Sequence, residues 1–164
     1  MRPNVLIALS VGSTLALAGL ALAQQPPPSP AATGPLADYG PPITNEQAEA
    51  TVRRYLDLVA NGTAAEIVEL YAGDAVLEDP VGGTPLVGRE NIRAFYATLE
   101  AFTVTTELQT IRTCGGEAAF QFHIETDTGA GVAVLEPLEN MKFTEDGLIS
   151  NMRAWWGDSD MTFS

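Results

Sequence analysis

GRENIRAFYATLEAFTVTTELQTIRT, residues 88–113, changes its hydrophobic period at its midpoint. In the first half Ile92, Phe95, Tyr96 and Leu99 recur at helical spacing, which predicts an amphipathic helix with these residues on its buried side. From Thr103 onwards the period is two, which indicates a β-strand. The stretch therefore predicts a fold in which helices come first and strands follow.

Two further helices are predicted before this stretch, because each begins with a capping box. Thr44 and Gln47 open the first helix, which ends at Asn61-Gly62. Thr63 and Glu66 open a second, short helix, which we extend through Tyr71. The apolar stripe of the first helix consists of Ala48, Val52, Tyr55 and Val59.

Four strands are predicted in the second half of the domain, at about 103–113, 117–126, 131–143 and 148–156. Glycine-containing turns such as CGGE, DTGAG and TEDG join them. Three helices followed by a meander of antiparallel strands indicate an α+β fold, with the helices on one face of a curved sheet.

The first 43 residues read as targeting and linking segments. Residues 1–23 combine a basic start, an apolar stretch and Ala-Leu-Ala, which predicts a cleaved secretory signal peptide, with an uncleaved membrane anchor as the alternative. Residues 24–43 contain seven prolines in twenty positions and predict an extended linker. We expect the folded domain to span 44–164, to be secreted or periplasmic, and to keep no stable membrane association after cleavage.

The charge and the Cys/His content limit the function classes. Eight Lys and Arg stand against 21 Asp and Glu, a formal net charge of −13, so a nucleic-acid partner is not expected. Cys114 is the only cysteine and cannot form an internal disulfide. His123 is the only histidine, so no zinc or other metal site is expected.

Two carboxyl groups are predicted to face the domain interior. In VAVLEPLENMKF, residues 132–143, Glu139 alternates with apolar residues, whereas Glu136 shares the polar face with Lys142. Asp79 in YAGDAVLEDPVGG has the parity of the apolar residues before it, and Glu78 the opposite parity. Inward carboxyl groups in an apolar interior suit acid–base chemistry on an apolar substrate.

The same two groups also allow a purely structural interpretation, in which Asp79 caps the turn before Pro80 and Glu139 extends to a solvent-exposed rim. The neighbouring strands place His123 and Arg153 on the polar outer face. The predicted inner face of these strands consists of Phe120, Phe122, Ile124, Leu148, Met152, Ala154 and Trp156.

The region from about Thr44 to Trp156 resembles the ketosteroid isomerases within the NTF2-like, SnoaL-like superfamily. The resemblance rests on RRYLDLVANGTAAEIVELYAGDAVLEDPVGG, VGRENIRAFY and ENMKFTEDGLI. It implies a conical α+β fold with three helices packed on a curved, mainly antiparallel sheet around a deep apolar pocket. It also implies a homodimer.

The resemblance implies roles for individual residues. Asp79 stands where the family has its catalytic base, and Tyr55 where it has the main oxyanion-hole tyrosine. Tyr71 and Tyr96 match two tyrosines that hydrogen-bond with it. Residues that we expect to line the substrate pocket are Phe122, Trp156, Phe120 and Met141.

Glu139 departs from the family pattern. It stands where these isomerases have an aspartic acid that donates a second hydrogen bond and is kept protonated by its apolar site. Glutamate preserves the acidic donor but is one methylene longer, which displaces the donor by about an ångström.

The implied activity is the isomerisation of a 3-oxo-Δ5 steroid or a similar apolar ketone, without a cofactor. Alternatives are a secreted, non-catalytic binder of small apolar ligands and a SnoaL-like polyketide cyclase. Epoxide hydrolysis on this fold would favour a buried Asp-Arg-Asp array, and no arginine has clear inward parity.

Overall fold

The computed structural model describes residues 43–164, all within one compact unit. The predicted signal peptide and nearly all of the predicted linker lie outside the described residues. Ile43, which we assigned to the linker, is buried at 5% exposure in the hydrophobic core, so the packed part of the chain begins one residue earlier than expected. Within 43–164 no helix has the length and apolar character needed to cross a membrane.

Both predicted capping boxes are present. Thr44 and Gln47 exchange hydrogen bonds at the start of the first helix, and Thr63 and Glu66 do so at the second. The helices are α1 (Asn45–Asn61), α2 (Ala64–Val68) and α3 (Arg89–Ala97).

The extension of α2 through Tyr71 is wrong. The helix ends at Val68, and Tyr71 instead begins a strand that pairs in parallel with Ile149. A second tertiary contact holds this residue, because Arg89 Nε donates to its carbonyl oxygen at 2.7 Å. Pairing with distant chain segments therefore overrides the local helical signal.

The third helix, α3, ends before Leu99, the last residue of the helical spacing that predicted it. After Ala97 the chain continues as a 3₁₀ turn, Leu99–Ala101. Ile92 and Tyr96 are fully buried, as expected, whereas Phe95 is only partly buried against the core.

An eight-stranded sheet forms the other half of the domain. Its strands are β1 (Tyr71–Glu78), β2 (Leu86–Val87), β3 (Thr103–Cys114), β4 (Glu117–Asp127), β5 (Val132–Leu135), β6 (Leu138–Phe143), β7 (Ile149–Trp155) and β8 (Met161–Phe163). Strands β1, β2 and β8 were not predicted. The strands follow the order β2-β1-β7-β6-β4-β5-β8, with β3 paired to β4, and within 43–164 only the β1–β7 pair is parallel.

The predicted strand 131–143 is two strands, because it breaks at Glu136-Pro137. Proline has no backbone N–H to contribute to a ladder. β6 pairs with the first half of β4 and β5 with the second half, along the same edge. The side-chain alternation survives the break, so Glu139 remains on the buried face and Glu136 on the exposed one.

The core lies between the helices and the inner face of this curved sheet. α1 packs on β3 and β4, and α3 packs on β1 and α2. The α+β fold with helices on a curved, mainly antiparallel sheet is therefore confirmed. The largest fully buried side chains are Tyr71, Tyr96, Phe120, Leu77, Ile92, Met141, Ile149, Met152 and Val52.

Candidate active site

A cavity of about 180 Å³ lies between the helices and the inner face of the sheet. Its walls are mainly apolar, and four titratable side chains enter it: Tyr55 from α1, Asp79 after β1, Tyr96 from α3 and Glu139 from β6. The remaining lining residues are Val59, Phe95, Leu99, Phe122, Ile124, Thr126, Ala133, Leu135, Pro137, Trp156 and Met161.

Asp79 lies in the cavity wall, in agreement with its predicted parity. Its β-strand neighbours Ala75 and Leu77 are fully buried on the same face. Burial raises the pKa of Asp79, and a hydrogen bond from the Trp156 indole opposes the rise. The indole Nε1–H donates to Asp79 Oδ1 at 2.6 Å, so one carboxylate oxygen is fixed by Trp156.

Glu139 is the most deeply buried carboxyl group among the described residues, at 2% exposure. Burial raises its pKa well above the ordinary glutamate value, and the charge of Asp79 adds to the rise. Its Oε2 has no hydrogen-bond partner within 43–164. A buried polar atom without a hydrogen bond costs free energy. A polar group of a ligand in the cavity would supply the missing partner.

Three tyrosine hydroxyl groups form a chain that leads to the cavity. Tyr71 Oη and Tyr96 Oη are 2.7 Å apart, and Tyr96 Oη donates to Tyr55 Oη at 3.3 Å. We expected both supporting tyrosines to hydrogen-bond with Tyr55, but Tyr71 reaches it only through Tyr96. Burial is the main cause that raises the pKa of all three hydroxyl groups well above the usual range, so they are neutral donors.

The four predicted pocket residues divide into two pairs. Phe122 and Trp156 line the cavity, as expected. Phe120 and Met141 do not, because they lie fully buried behind it. The Phe120 ring packs edge-on against the Tyr55 ring, with 6.4 Å between their centroids. Phe120 therefore contacts Tyr55, which lines the cavity, and does not line the cavity itself.

Sequence reasoning missed part of the cavity wall. Thr126 lies on the inner face that the alternation of Phe120, Phe122 and Ile124 predicts, and extending that alternation by two residues would have found it. Met161 belongs to β8, a three-residue strand with no signal in the sequence that we recognised.

The outer face of the sheet carries the charges that the alternation assigned to it. Arg153 Nε donates to Glu78 at 2.8 Å, and His123 lies 3.2 to 3.3 Å from Glu125 and Glu136. Among the cavity-lining residues there is no arginine, and within 43–164 no group of three or more His, Cys, Asp or Glu is arranged to hold a metal ion.

Known proteins resemble this chain in sequence and in structure. Residues 52–152 match the SnoaL-like domain family. A steroid Delta-isomerase from Nocardioides simplex is 48% identical over 115 residues, which cover 70% of this chain and 94% of the relative.

Two solved structures share the fold. The epoxide hydrolase/cyclase-like enzyme SalBIII, described in pyran ring formation in the polyether salinomycin, is 26% identical with a TM-score of 0.66, over 73% of this chain and 97% of SalBIII. RV0760c from Mycobacterium tuberculosis is 23% identical with a TM-score of 0.68, over 74% of this chain and 99% of that protein. The chain therefore belongs to the SnoaL-like (NTF2-like) family and is a homologue of a steroid Delta-isomerase.

Proposed function

We propose that this protein moves a carbon–carbon double bond of an apolar ketone from the β,γ to the α,β position, as in the conversion of a 3-oxo-Δ5 to a 3-oxo-Δ4 steroid. One observation carries the proposal. A single apolar cavity contains Asp79, whose carboxyl group is held by one oxygen, and the buried carboxyl group of Glu139, whose Oε2 has no hydrogen-bond partner within 43–164. The 48% identity to a steroid Delta-isomerase supports it.

Asp79 is the base in this proposal. In its ionised form it removes a proton from the carbon between the carbonyl and the alkene, and the electron pair moves to the carbonyl oxygen as a dienolate. A raised pKa makes Asp79 a stronger base than an exposed aspartate, while the Trp156 hydrogen bond orients it. The other carboxylate oxygen faces the substrate.

Tyr55 and neutral Glu139 stabilise the dienolate oxygen. Both are donors that the fold holds in place before the reaction, so little reorganisation is needed when negative charge develops. Burial keeps Glu139 protonated, and the Tyr71–Tyr96 chain donates towards Tyr55.

The proton returns from Asp79 to the carbon two positions further along the dienolate. The carbonyl re-forms, the double bond becomes conjugated with it, and Asp79 is again ionised. The step consumes no co-reactant, because the proton that leaves is the proton that returns.

The cavity encloses the reacting end of the ligand. Its volume of about 180 Å³ is smaller than the ~300–1,000 Å³ typical of pockets that enclose a whole drug-sized ligand. The remaining part of a steroid-sized substrate would extend beyond this volume.

The test is an ultraviolet assay of the purified protein with 5-androstene-3,17-dione, followed by the absorbance of the conjugated enone. We expect enzyme-dependent conversion, with a kcat that Asp79→Asn reduces by about 10²–10⁴-fold. Tight binding of the steroid without conversion would contradict the proposal and would favour a non-catalytic binding protein.

A second candidate is acid–base ring closure, which the structural likeness to SalBIII favours. In such a reaction Asp79 would deprotonate the attacking hydroxyl group and neutral Glu139 would protonate the opening oxygen. Ring closure of a hydroxy-epoxide, without conversion of any β,γ-unsaturated ketone, would support this candidate instead.

A further inference from the structure

A thioether that is not among the cavity-lining groups contacts the tyrosine chain. Met152 Sδ lies 3.1 Å from Tyr71 Oη and 3.5 Å from Tyr96 Oη, and the side chain is fully buried in β7. The sequence placed Met152 only on the apolar inner face, and no part of the proposed mechanism uses it.

Each tyrosine hydroxyl group has one proton, so the chain can be arranged in two directions. In the first, Tyr71 donates to Tyr96, Tyr96 donates to Tyr55, and the Tyr55 proton points to the cavity. In the second, the sulfur of Met152 accepts the last proton, either from Tyr71 after Tyr96 has donated to Tyr71, or from Tyr96 itself, so Tyr55 receives no hydrogen bond.

The second arrangement depends on the sulfur. A thioether is a weak acceptor, but it is the acceptor of the last proton in that arrangement. Without it this buried hydroxyl proton would be left without a partner, which costs its full desolvation. The two arrangements therefore compete only because Met152 is present.

We propose that Met152 is a positioning residue that sets the direction of the tyrosine hydrogen bonds and thereby limits the strength of Tyr55 as a donor. The inference rests on the proposed role of Tyr55 at the oxyanion. When an oxyanion binds, the chain must turn towards Tyr55, and the hydrogen bond to Met152 is given up. The affinity for an oxyanion is reduced by the free energy of that change.

The test replaces the sulfur and measures the binding of substituted phenols of increasing acidity, whose oxygen stands for the dienolate oxygen. Met152→Leu removes the acceptor at nearly constant volume. We expect phenol binding to tighten by about 2- to 10-fold, the equivalent of one net hydrogen bond, with a steeper dependence of affinity on phenol acidity. Norleucine incorporated at Met152, which replaces sulfur by a methylene, should have the same effect.

Met141→Leu is the matched control. Met141 is the cross-strand neighbour of Met152 and is equally buried. Within 43–164 its sulfur accepts no hydrogen bond from a hydroxyl group. We expect its phenol affinities to stay within about twofold of wild type, since a packing change alone leaves the hydrogen bonds in place. Equal tightening in both leucine variants would overturn the inference.

Tyr96→Phe provides the second check, because it removes the hydroxyl group that joins Tyr71 and Met152 to Tyr55. In this background Met152→Leu should change phenol affinity by less than about twofold. An undiminished effect would show that Met152 acts through packing and would overturn the inference. If Tyr55→Phe left phenol affinity unchanged, the proposed role of Tyr55 would fail as well, whereas a large loss there with no effect of Met152→Leu would overturn the Met152 inference alone.

Discussion

The two faces of the sheet treat neighbouring carboxyl groups in opposite ways. Glu78 and Asp79 are adjacent, but Glu78 faces outwards, where the Gly82 N–H and Arg153 lower its pKa. Asp79 faces the cavity, where burial raises its pKa. The two residues are one position apart in the strand alternation. Glu78 is therefore a carboxylate paired with Arg153 on the outer face, whereas Asp79 is a candidate base in the cavity.

Glu136 and Glu139 repeat the contrast three residues apart. Gln109 and His123 hydrogen-bond to Glu136 and lower its pKa, in that order of importance. Glu139 has no such partners at Oε2, and burial raises its pKa well above the ordinary value. The comparison teaches that the residue type does not decide the charge state in this protein, since the number of donors and the access of water decide it.

The largest expected effect comes from breaking the Glu78–Asp79 contrast. Asp79→Asn should reduce kcat by about 10²–10⁴-fold, because it removes the general base without removing a side chain. Steady-state assays with a β,γ-unsaturated ketone measure this. Glu78→Gln is the control and should change kcat little, so equal losses in the two variants would refute the assignment of Asp79.

The second-largest effect is expected for Tyr55→Phe, which should reduce kcat by about 10²–10³-fold, the usual effect of removing one oxyanion donor. Tyr71→Phe should cost less, because Tyr71 acts on Tyr55 only through Tyr96. The ranking is read from kcat at saturating substrate. A larger loss in Tyr71→Phe than in Tyr55→Phe would contradict the order of the chain.

Glu139→Ala should lower kcat by about 10–10²-fold, at or below the range for loss of one donor. Glu139→Gln keeps a donor and should retain more activity than Glu139→Ala. Glu139→Asp tests the extra methylene directly. If it raised kcat, the longer side chain would be a handicap for this reaction, and activity of Glu139→Ala equal to wild type would show that there is no second donor.

The smallest expected effect is on the pH dependence of the free energy of unfolding. Folded Glu139 holds its proton at a pH where an unfolded glutamate, with a pKa of 4.5, has lost it. The free energy of unfolding should therefore fall as pH rises from that value to the raised folded pKa, by at most about 1.4 kcal/mol per pH unit. Denaturant titrations of wild type and Glu139→Gln should show that this contribution disappears in the variant.

Glu136→Gln is the comparison variant for the same measurement, because the contribution of Glu136 to the free energy of unfolding changes with pH in the opposite direction. The pKa of Glu136 is lowered in the folded protein, so its contribution is present above the unfolded pKa and is lost as pH falls. Identical pH profiles for the two glutamine variants would contradict the assignment of the two faces.

Strand alternation was enough to predict which carboxyl groups face the cavity. Asp79 and Glu139 follow apolar residues at a period of two, and the break at Pro137 does not change that period. The capping boxes likewise predicted the starts of α1 and α2, because their hydrogen bonds lie within four residues.

Contacts between distant segments could not be predicted in the same way. The Trp156–Asp79 hydrogen bond joins residues 77 positions apart, and the pairing of Tyr71 with Ile149 turned a predicted helix end into a strand. Phe120 and Met141 have the inward parity of pocket residues, but parity does not reveal which inward residues reach the cavity and which lie behind it. The secretory leader and the homodimer stay predictions.

The protonation state of Glu139 is the most direct test of the contrast between the two faces. It can be measured as the infrared difference spectrum between wild type and Glu139→Gln at neutral pH. A carboxylic acid C=O band that is present in wild type and absent from Glu139→Gln is the predicted result. A difference spectrum containing only carboxylate bands would show that Glu139 is ionised like Glu136, and that it cannot donate to an oxyanion.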